Sequence, residues 1–296
     1  MKSRMVAVFS GLRRMHPRGK GRHNQIMEFD AAIRAYYDRG DEVSRLTSGM
    51  GRLEFERTKT LIARFINGQG LEILDVGGGP GIYARWLSEQ GHRVHVVDPI
   101  PLHIEQAIAG GVSAELGDAR RLRQADATAD IVLLLGPLYH LPRRADREAV
   151  LAEARRVLRS GGLLVAAGIS RHAALLDLLG NWDMLDSLNL FELVKESVRT
   201  GVFKGPGEGA LFTTSYFHLP EELKVEVSGA GFVDVRVFHV EGPGCMVPRL
   251  EACLEDHSRR RTLLEAICLV EEDNYLLGSG HLLAVARTQN PDVNDR

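Results

Sequence analysis

Three carboxylates and one run of glycines stand at spacings that suit ligand binding. Asp75 opens the run Asp75-Val76-Gly77-Gly78-Gly79-Pro80-Gly81, Asp98 follows about 20 residues beyond the turn, and Asp118 comes after a similar interval. Without Cβ atoms the glycines let the backbone turn sharply and approach a ligand at contact distance. A helix that starts after such a turn presents unpaired N–H groups and a partial positive charge to the same space. An ionised carboxylate only accepts hydrogen bonds, which suits Asp98 to a pair of ribose hydroxyls. Further on, Gly136-Pro137-Leu138-Tyr139-His140-Leu141 supplies a phenol and an imidazole that ordinarily titrates near neutrality, the usual sources of a general base.

These groups can meet only if strands deliver them to one edge. Leu71, Ile73, Leu74 and Val76 predict a strand that ends at the glycines. Ile82, Ala84, Trp86 and Leu87 then recur at helical spacing until Gly91, and Val94, Val96 and Val97 form a second strand ending in Asp98. This is half of a nucleotide-binding βαβ layout. Pro99–Gly110 predicts the second helix and Val112–Leu116 a third strand, closed by Gly117-Asp118-Ala119. Arg120–Ala129 is polar and too short for a full helix, and Asp130–Leu135 is wholly apolar, as in the buried centre of a parallel sheet. Asp146–Arg159 predicts a helix whose Arg155, Arg156 and Arg159 form a solvated face near its C-terminus. After a turn at Gly161-Gly162 come a fifth strand, Leu163–Ala167, a sheet-covering helix, Leu219–Gly229, and two last strands, Phe232–Val240 and His281–Arg287. Open parallel sheets bind ligands at the C-terminal tips of their strands, so Asp98, Asp118 and Tyr139-His140 converge on one edge.

The pattern acid-x-Gly-x-Gly-x-Gly resembles motif I of the class I S-adenosylmethionine-dependent methyltransferases of the small-molecule type. The resemblance continues through Asp98, Asp118 and the GPLYHL segment. A dinucleotide fingerprint would instead need Gly where Ile82 stands. The resemblance implies an α/β fold: Rossmann-like, doubly wound, with a mostly parallel seven-stranded sheet, a terminal antiparallel strand pair, a helical N-terminal cap and lid insertions. It implies S-adenosyl-L-methionine as cofactor, its methionine part facing the glycine turn. On that reading the cofactor-binding residues are Asp75, Gly77, Gly78, Gly79 and Gly81, then Asp98 and Pro99, Asp118 and Ala119, Leu135, and Tyr37 from the cap. Asp118 would accept from the adenine amino group. Catalysis falls to His140 with Tyr139 beside it, and Tyr139 either directs its hydroxyl to the substrate or walls the methyl pocket. His218 is a second candidate base, although it precedes a helix, where capping or packing explains it. The expected reaction is methyl transfer to an oxygen or nitrogen of a small organic acceptor. Alternatives are a nicotinamide-dependent oxidoreductase, a nucleic-acid methyltransferase and a cofactor-binding protein without catalysis.

Composition sets the remaining bounds. The chain has 296 residues, 44% hydrophobic and 26% charged, with formal net charge −2. Nothing there draws it to nucleic acid or to an anionic membrane surface, and no apolar run approaches the roughly 20 residues a bilayer span needs. Cys245, Cys253 and Cys268 are odd in number and lack metal-like spacing, so no metal site is expected, and they read as reduced thiols in a cytoplasm. Residues 1–24 carry seven Lys and Arg and no acid, and read as a disordered basic tail. Residues 25–67 read as a helical cap, with Phe29, Ile33, Tyr36 and Tyr37 on one stripe and Leu53, Phe55, Leu61, Ile62, Phe65 and Ile66 on another. Residues 68–288 form the core, with insertions at 170–216 and 242–274 and a tail at 289–296. The first insertion carries helical apolar stripes and should roof the acceptor pocket, and its glycine-rich link, Lys204–Gly209, suits a mobile lid or a plain surface loop. The second holds a helix near Arg259–Val270, with substrate specificity and dimer contact both open. Monomer and homodimer are equally compatible with the sequence.

Overall fold

The computed structural model describes residues 33, 34, 37, 42–204, 213–273 and 278–290. The basic tail, Phe29, Tyr36 and the glycines of the 204–209 link lie outside them. Five parallel strands carry the fold: β1 (Glu72–Val76), β2 (Arg93–Asp98), β3 (Ser113–Leu116), β4 (Ala129–Leu134) and β5 (Leu158–Ser170), in the spatial order β3-β2-β1-β4-β5. Beyond β5 the sheet turns antiparallel, with β9 (His281–Arg287) pairing β5 and β8 (Val233–His239) pairing β9. The expected doubly wound sheet with its terminal antiparallel pair is therefore present. Its strands are apolar on both faces because helices cover both. Ile73, Leu133 and Val165 enter one core, and their neighbours Leu74, Val132 and Leu164 enter the other.

Two elements exceed the sequence expectation of seven strands. Within the 170–216 insertion, β6 (Val202–Phe203) and β7 (Ser215–His218) bring the sheet to nine. Ile169 of β5 faces His281 on one edge and Phe217 on the other, so β7 takes the β4 side of β5, just past the tip of β4. The insertion is thus built into the core as well as over it. Leu178, Leu190 and Val194 from its helices are buried with Phe203 and Phe217. Leu179 and Leu185, expected on the same stripes, face solvent.

The helices occupy the expected connections with shifted ends. In chain order they are α1 (Glu42–Arg45), α2 (Gly49–Phe65), α3 (Ile82–Glu89), α4 (Pro101–Ala109) and α5 (Arg144–Val157). In place of a helix expected over 146–159, α5 stops at Val157, because Leu158 already pairs with Ala129 and Thr128 donates to the Val157 carbonyl. Arg159 and the Gly161-Gly162 pair consequently belong to β5 rather than to a helix end and a turn. The insertion helices follow, α6 (Ala173–Gly180), α7 (Trp182–Leu185) and α8 (Leu188–Thr200), then α9 (Pro220–Gly229) on the sheet.

The second insertion holds α10 (Leu250–Glu255) and α11 (His257–Cys268). It buttresses the cap: Leu254, Leu263 and Ile267 bury against Met50 and Leu53 of α2. Arg57, fully buried on α2, donates to Glu271 at 2.6 Å and to the Val240 carbonyl.

Candidate active site

The glycine turn folds around the Asp75 side chain. A Cβ on Gly78 would lie 2.5 Å from that carboxyl group, so no other residue fits there without a shift. Gly79 adopts φ +56°, and its missing Cβ would meet only the His103 ring at ordinary contact distance. Gly81, with φ +76°, is the residue before α3 and packs toward Ala107 and Val96. It is the one residue named for the cofactor that does not face the pocket; it shapes the entry to α3 instead.

The pocket encloses about 970 Å³, counting its open mouth. Asp75, Gly77, Gly78, Gly79, Asp98, Pro99, Asp118, Ala119, Leu135, Tyr37, Tyr139 and His140 all line it. The strand tips thus bring the predicted carboxylates and the Tyr139-His140 pair together. His218 stays away, buried with Glu226 (3.3 Å) and lying edge-on to Tyr216, as its packing role requires.

Asp98 is only 4% exposed and already accepts three hydrogen bonds: from the backbone N–H of Gly79 (2.9 Å), from that of Ile100 (2.9 Å), and from His103 Nδ1 (3.0 Å). It therefore pins the glycine turn to the start of α4 as well as facing the ligand space. Asp118 accepts from the Arg120 backbone and pairs with its guanidinium at 2.6 Å. Burial opposes its ionisation, but Arg120 outweighs burial and holds its carboxyl below the ordinary range.

Asp75 differs from both. It is fully buried, and neither of its oxygens has a hydrogen-bond partner. Burial, with the nearby charge of Asp98, pushes its pKa up to about 7.

On the other wall, Tyr37 of the cap reaches His140 Nε2 at 2.6 Å, and the Thr213 hydroxyl lies 3.2 Å from Nδ1. Both ring nitrogens are engaged. Burial and the Arg45 charge drive the His140 pKa down to about 3. The expectation of an imidazole titrating near neutrality is therefore corrected: in this closed pocket His140 is neutral throughout the physiological range. Tyr139 turns its hydroxyl to the Leu135 carbonyl (3.1 Å), which favours its wall role over substrate contact.

The sequence reading missed two residues. His103, 2% exposed, lines the pocket with an unpartnered Nε2 and lies edge-on to Tyr37. Its signal was one helical turn past the strand-tip acid, on a helix read only as sheet cover. Arg120, two residues past Asp118, was passed over as part of a polar link.

Comparison with known proteins agrees with this geometry. Residues 74–166 match a family model described as a methyltransferase domain. Over 164 residues the chain is 31% identical to the ubiquinone/menaquinone biosynthesis C-methyltransferase of Acidiphilium cryptum, covering 52% of this chain and 62% of that one. Over 109 residues it is 33% identical to a ubiquinone biosynthesis O-methyltransferase of Rhizobium etli, 35% of this chain and 43% of that one. The chain thus spans about two fifths to three fifths of these relatives' lengths. Among solved structures, a Pyrococcus horikoshii protein superposes with TM-score 0.57 at 18% identity, covering 86% of this chain and 98% of its own. An S-adenosylmethionine-dependent methyltransferase from Methanosarcina mazei gives 0.53 at 18%, covering 78% and 97%. At such identity these two bear on the fold alone. Residues 74–166 thus match a methyltransferase domain, and the sheet order and glycine turn agree with the fold of the solved S-adenosylmethionine-dependent methyltransferases.

Proposed function

We propose that this chain binds S-adenosylmethionine in the strand-tip pocket and transfers its methyl group to an oxygen or nitrogen of a small organic acceptor. The observation that carries the reading is Asp75, a buried carboxyl with both oxygens unpartnered, enclosed by the glycine turn. Such a group is costly unless a ligand supplies donors or positive charge. The cofactor has both, in its amino group and its sulfonium. The other residues fit it too: Asp98 retains lone-pair capacity beyond its three donors for a ribose hydroxyl, and Asp118 stands at the far end with Ala119.

When bound, the cofactor supplies an electrophilic methyl group. The chain's contribution is chiefly to hold and enclose. Positioning is worth roughly 7–11 kcal/mol of barrier, against about 3–5 kcal/mol for a general base. A neutral, doubly hydrogen-bonded His140 agrees with that balance. It ties Tyr37 of the cap to Thr213 at the base of the first insertion and helps keep water out. A small acceptor fits a pocket walled on one side by Tyr37, Glu42, Arg45 and Leu46 of the cap. The curated relatives are named for carbon and oxygen methylation, so the choice of atom rests on the acceptor. No helix among the described residues is long and apolar enough to cross a membrane, and three free thiols support a cytoplasmic setting.

Calorimetric titration of the full chain with S-adenosylhomocysteine tests the cofactor, followed by an acceptor screen that reads methylated product by mass. Binding of one equivalent, weakened about tenfold or more in Asp98→Asn, is expected. Failure to bind, or tight binding of NAD instead, would refute it.

A further inference from the structure

A second cluster of ligand-type side chains lies at the same sheet edge, outside the pocket. His281, the first residue of β9, points Nδ1 at Glu241 Oε1 (2.5 Å), just past the end of β8. The same nitrogen is 3.8 Å from Glu54 Oε2 on α2. One donor atom from each of the three residues falls within 4.8 Å of the others. The three come from the cap and from the ends of two different strands, and their side chains are largely shielded from solvent. Glu241 Oε2 accepts from the Ser279 hydroxyl (3.0 Å) and from the His281 backbone (2.8 Å), which fixes the carboxylate in place.

An independent observation lies beside the cluster. Asp177, on α6, is 3% exposed and has no hydrogen-bond partner on either oxygen. The charged groups it feels are His281 and Glu241, and burial holds its carboxyl well above the ordinary carboxylate range. A buried carboxyl without partners is costly until a ligand reaches it.

We propose that Glu54, Glu241 and His281 form a binding site for one divalent transition-metal cation, with the unpartnered Asp177 carboxyl beside it. One imidazole nitrogen and two carboxylate oxygens suit zinc, manganese or cobalt better than the all-oxygen shells of calcium and magnesium. Metal–ligand bonds of about 2.0–2.2 Å place neighbouring ligands roughly 3.3 Å apart, so the Nδ1–Oε1 pair must open by less than about 1 Å. A ligating imidazole is neutral, so a bound metal would take the place of the Nδ1–Glu241 contact. The site also touches the pocket, since Arg45 of the pocket wall grips Glu54 at 2.5 Å. The proposal does not depend on the methyl-transfer reading.

The test is a titration of the chelator-treated full chain with Zn²⁺, Mn²⁺, Co²⁺ and Mg²⁺ chlorides in turn at pH 7.5. We expect one transition-metal ion per chain and far weaker Mg²⁺ binding. Glu54→Gln and His281→Gln should each lose at least the 10–100-fold that removing even an outer-shell partner costs. Should either variant fail to fold, the native chain's Co²⁺ visible absorption and metal-dependent melting shift still decide the point. No saturable binding by the native chain overturns the proposal, as does binding that folded variants retain in full.

Discussion

Replacing Asp75 with Asn should stabilise the ligand-free protein while weakening cofactor binding. The magnitude follows from the burial of Asp75. Its pKa rises from 3.8 to about 7 because both oxygens are dry and Asp98 adds negative charge. At about 1.36 kcal/mol per tenfold change, the ionised form costs the fold about 4 kcal/mol. The folded-state pKa lies above the unfolded one, so the native state binds the proton more tightly. Stability falls as pH rises from near 4, and the whole cost is present above 7. Asn at this position has no charge to desolvate, although its amide still lacks partners. Asp75→Asn should therefore be more stable than native at pH 8 by about 2–4 kcal/mol, a melting shift of roughly 3–6 °C for a chain of this size. The two should converge toward pH 4. With saturating S-adenosylhomocysteine the gap should narrow to about 1 kcal/mol, because losing a charged hydrogen bond costs about 1.5–3 kcal/mol, or roughly tenfold to more than a hundredfold in affinity. Scanning calorimetry of both proteins from pH 4.5 to 8.5, with and without ligand, measures it. If ligand-free Asp75→Asn melts below native at pH 8, the carboxylate is ionised and satisfied, and the reasoning fails.

Three further outcomes follow from the same geometry. Gly78→Ala should abolish S-adenosylhomocysteine binding, whereas Gly79→Ala, strained only by its positive φ, should weaken it less; calorimetry giving the reverse ranking would misplace the turn. Once an acceptor is known, the pH–rate profile should show no acidic limb near 6.5 from His140, because its pKa lies near 3 and it stays neutral above that. A limb near 6.5 in the native enzyme that disappears in His140→Asn would show that it titrates. Arg147→Leu should destabilise the chain by about 3–5 kcal/mol, since it strands Glu226 in a buried pair now closed at 2.5 Å. Arg147 and His218 overcome burial to hold the Glu226 pKa at about 2, so this contribution is present above its ordinary range near 4.5 and fades as pH falls through 2. A urea midpoint within error of native would contradict it.

The half of the fold written in local pattern was legible: strand, glycine turn, helix and strand with an acid at its tip involve neighbours in sequence. The long connections were harder to read. β7 is four residues long, and a run that short carries too little alternation to separate it from a loop. The turn of 3-10 helix at Pro137–His140 hid inside a segment read for its chemistry alone. At the site, residue types and their convergence could be read, but their electrostatic state could not. The low pKa of His140 comes from burial and from Arg45, which lies 95 positions earlier in the chain. A strand tip looks exposed in sequence, so nothing there marks Asp98 as anything but a ligand group. Its bonds to Gly79, Ile100 and His103 make it part of the turn's framework, so Asp98→Ala would disturb the pocket itself, and Asn is the cleaner replacement.

The pocket's charges explain why two residues in it are left unsatisfied. Asp98 and Asp118 are held by donors from their own chain, and His140 is bonded on both nitrogens. Arg45, opposite them, is neutralised by Glu42 and Glu54. Each of these groups can therefore stay in place whether or not a ligand is present. Asp75 and the outer nitrogen of His103 cannot be satisfied from within, and both face the same space. A site built this way binds most strongly the ligand that carries positive charge and hydrogen-bond donors to Asp75, because only that ligand removes a cost the empty protein already bears. Neutral nucleosides would gain the Asp98 and Asp118 contacts without that relief. On the proposed reading, discrimination for a cationic amino-acid nucleoside comes from the desolvation of one carboxyl group beneath the glycine turn.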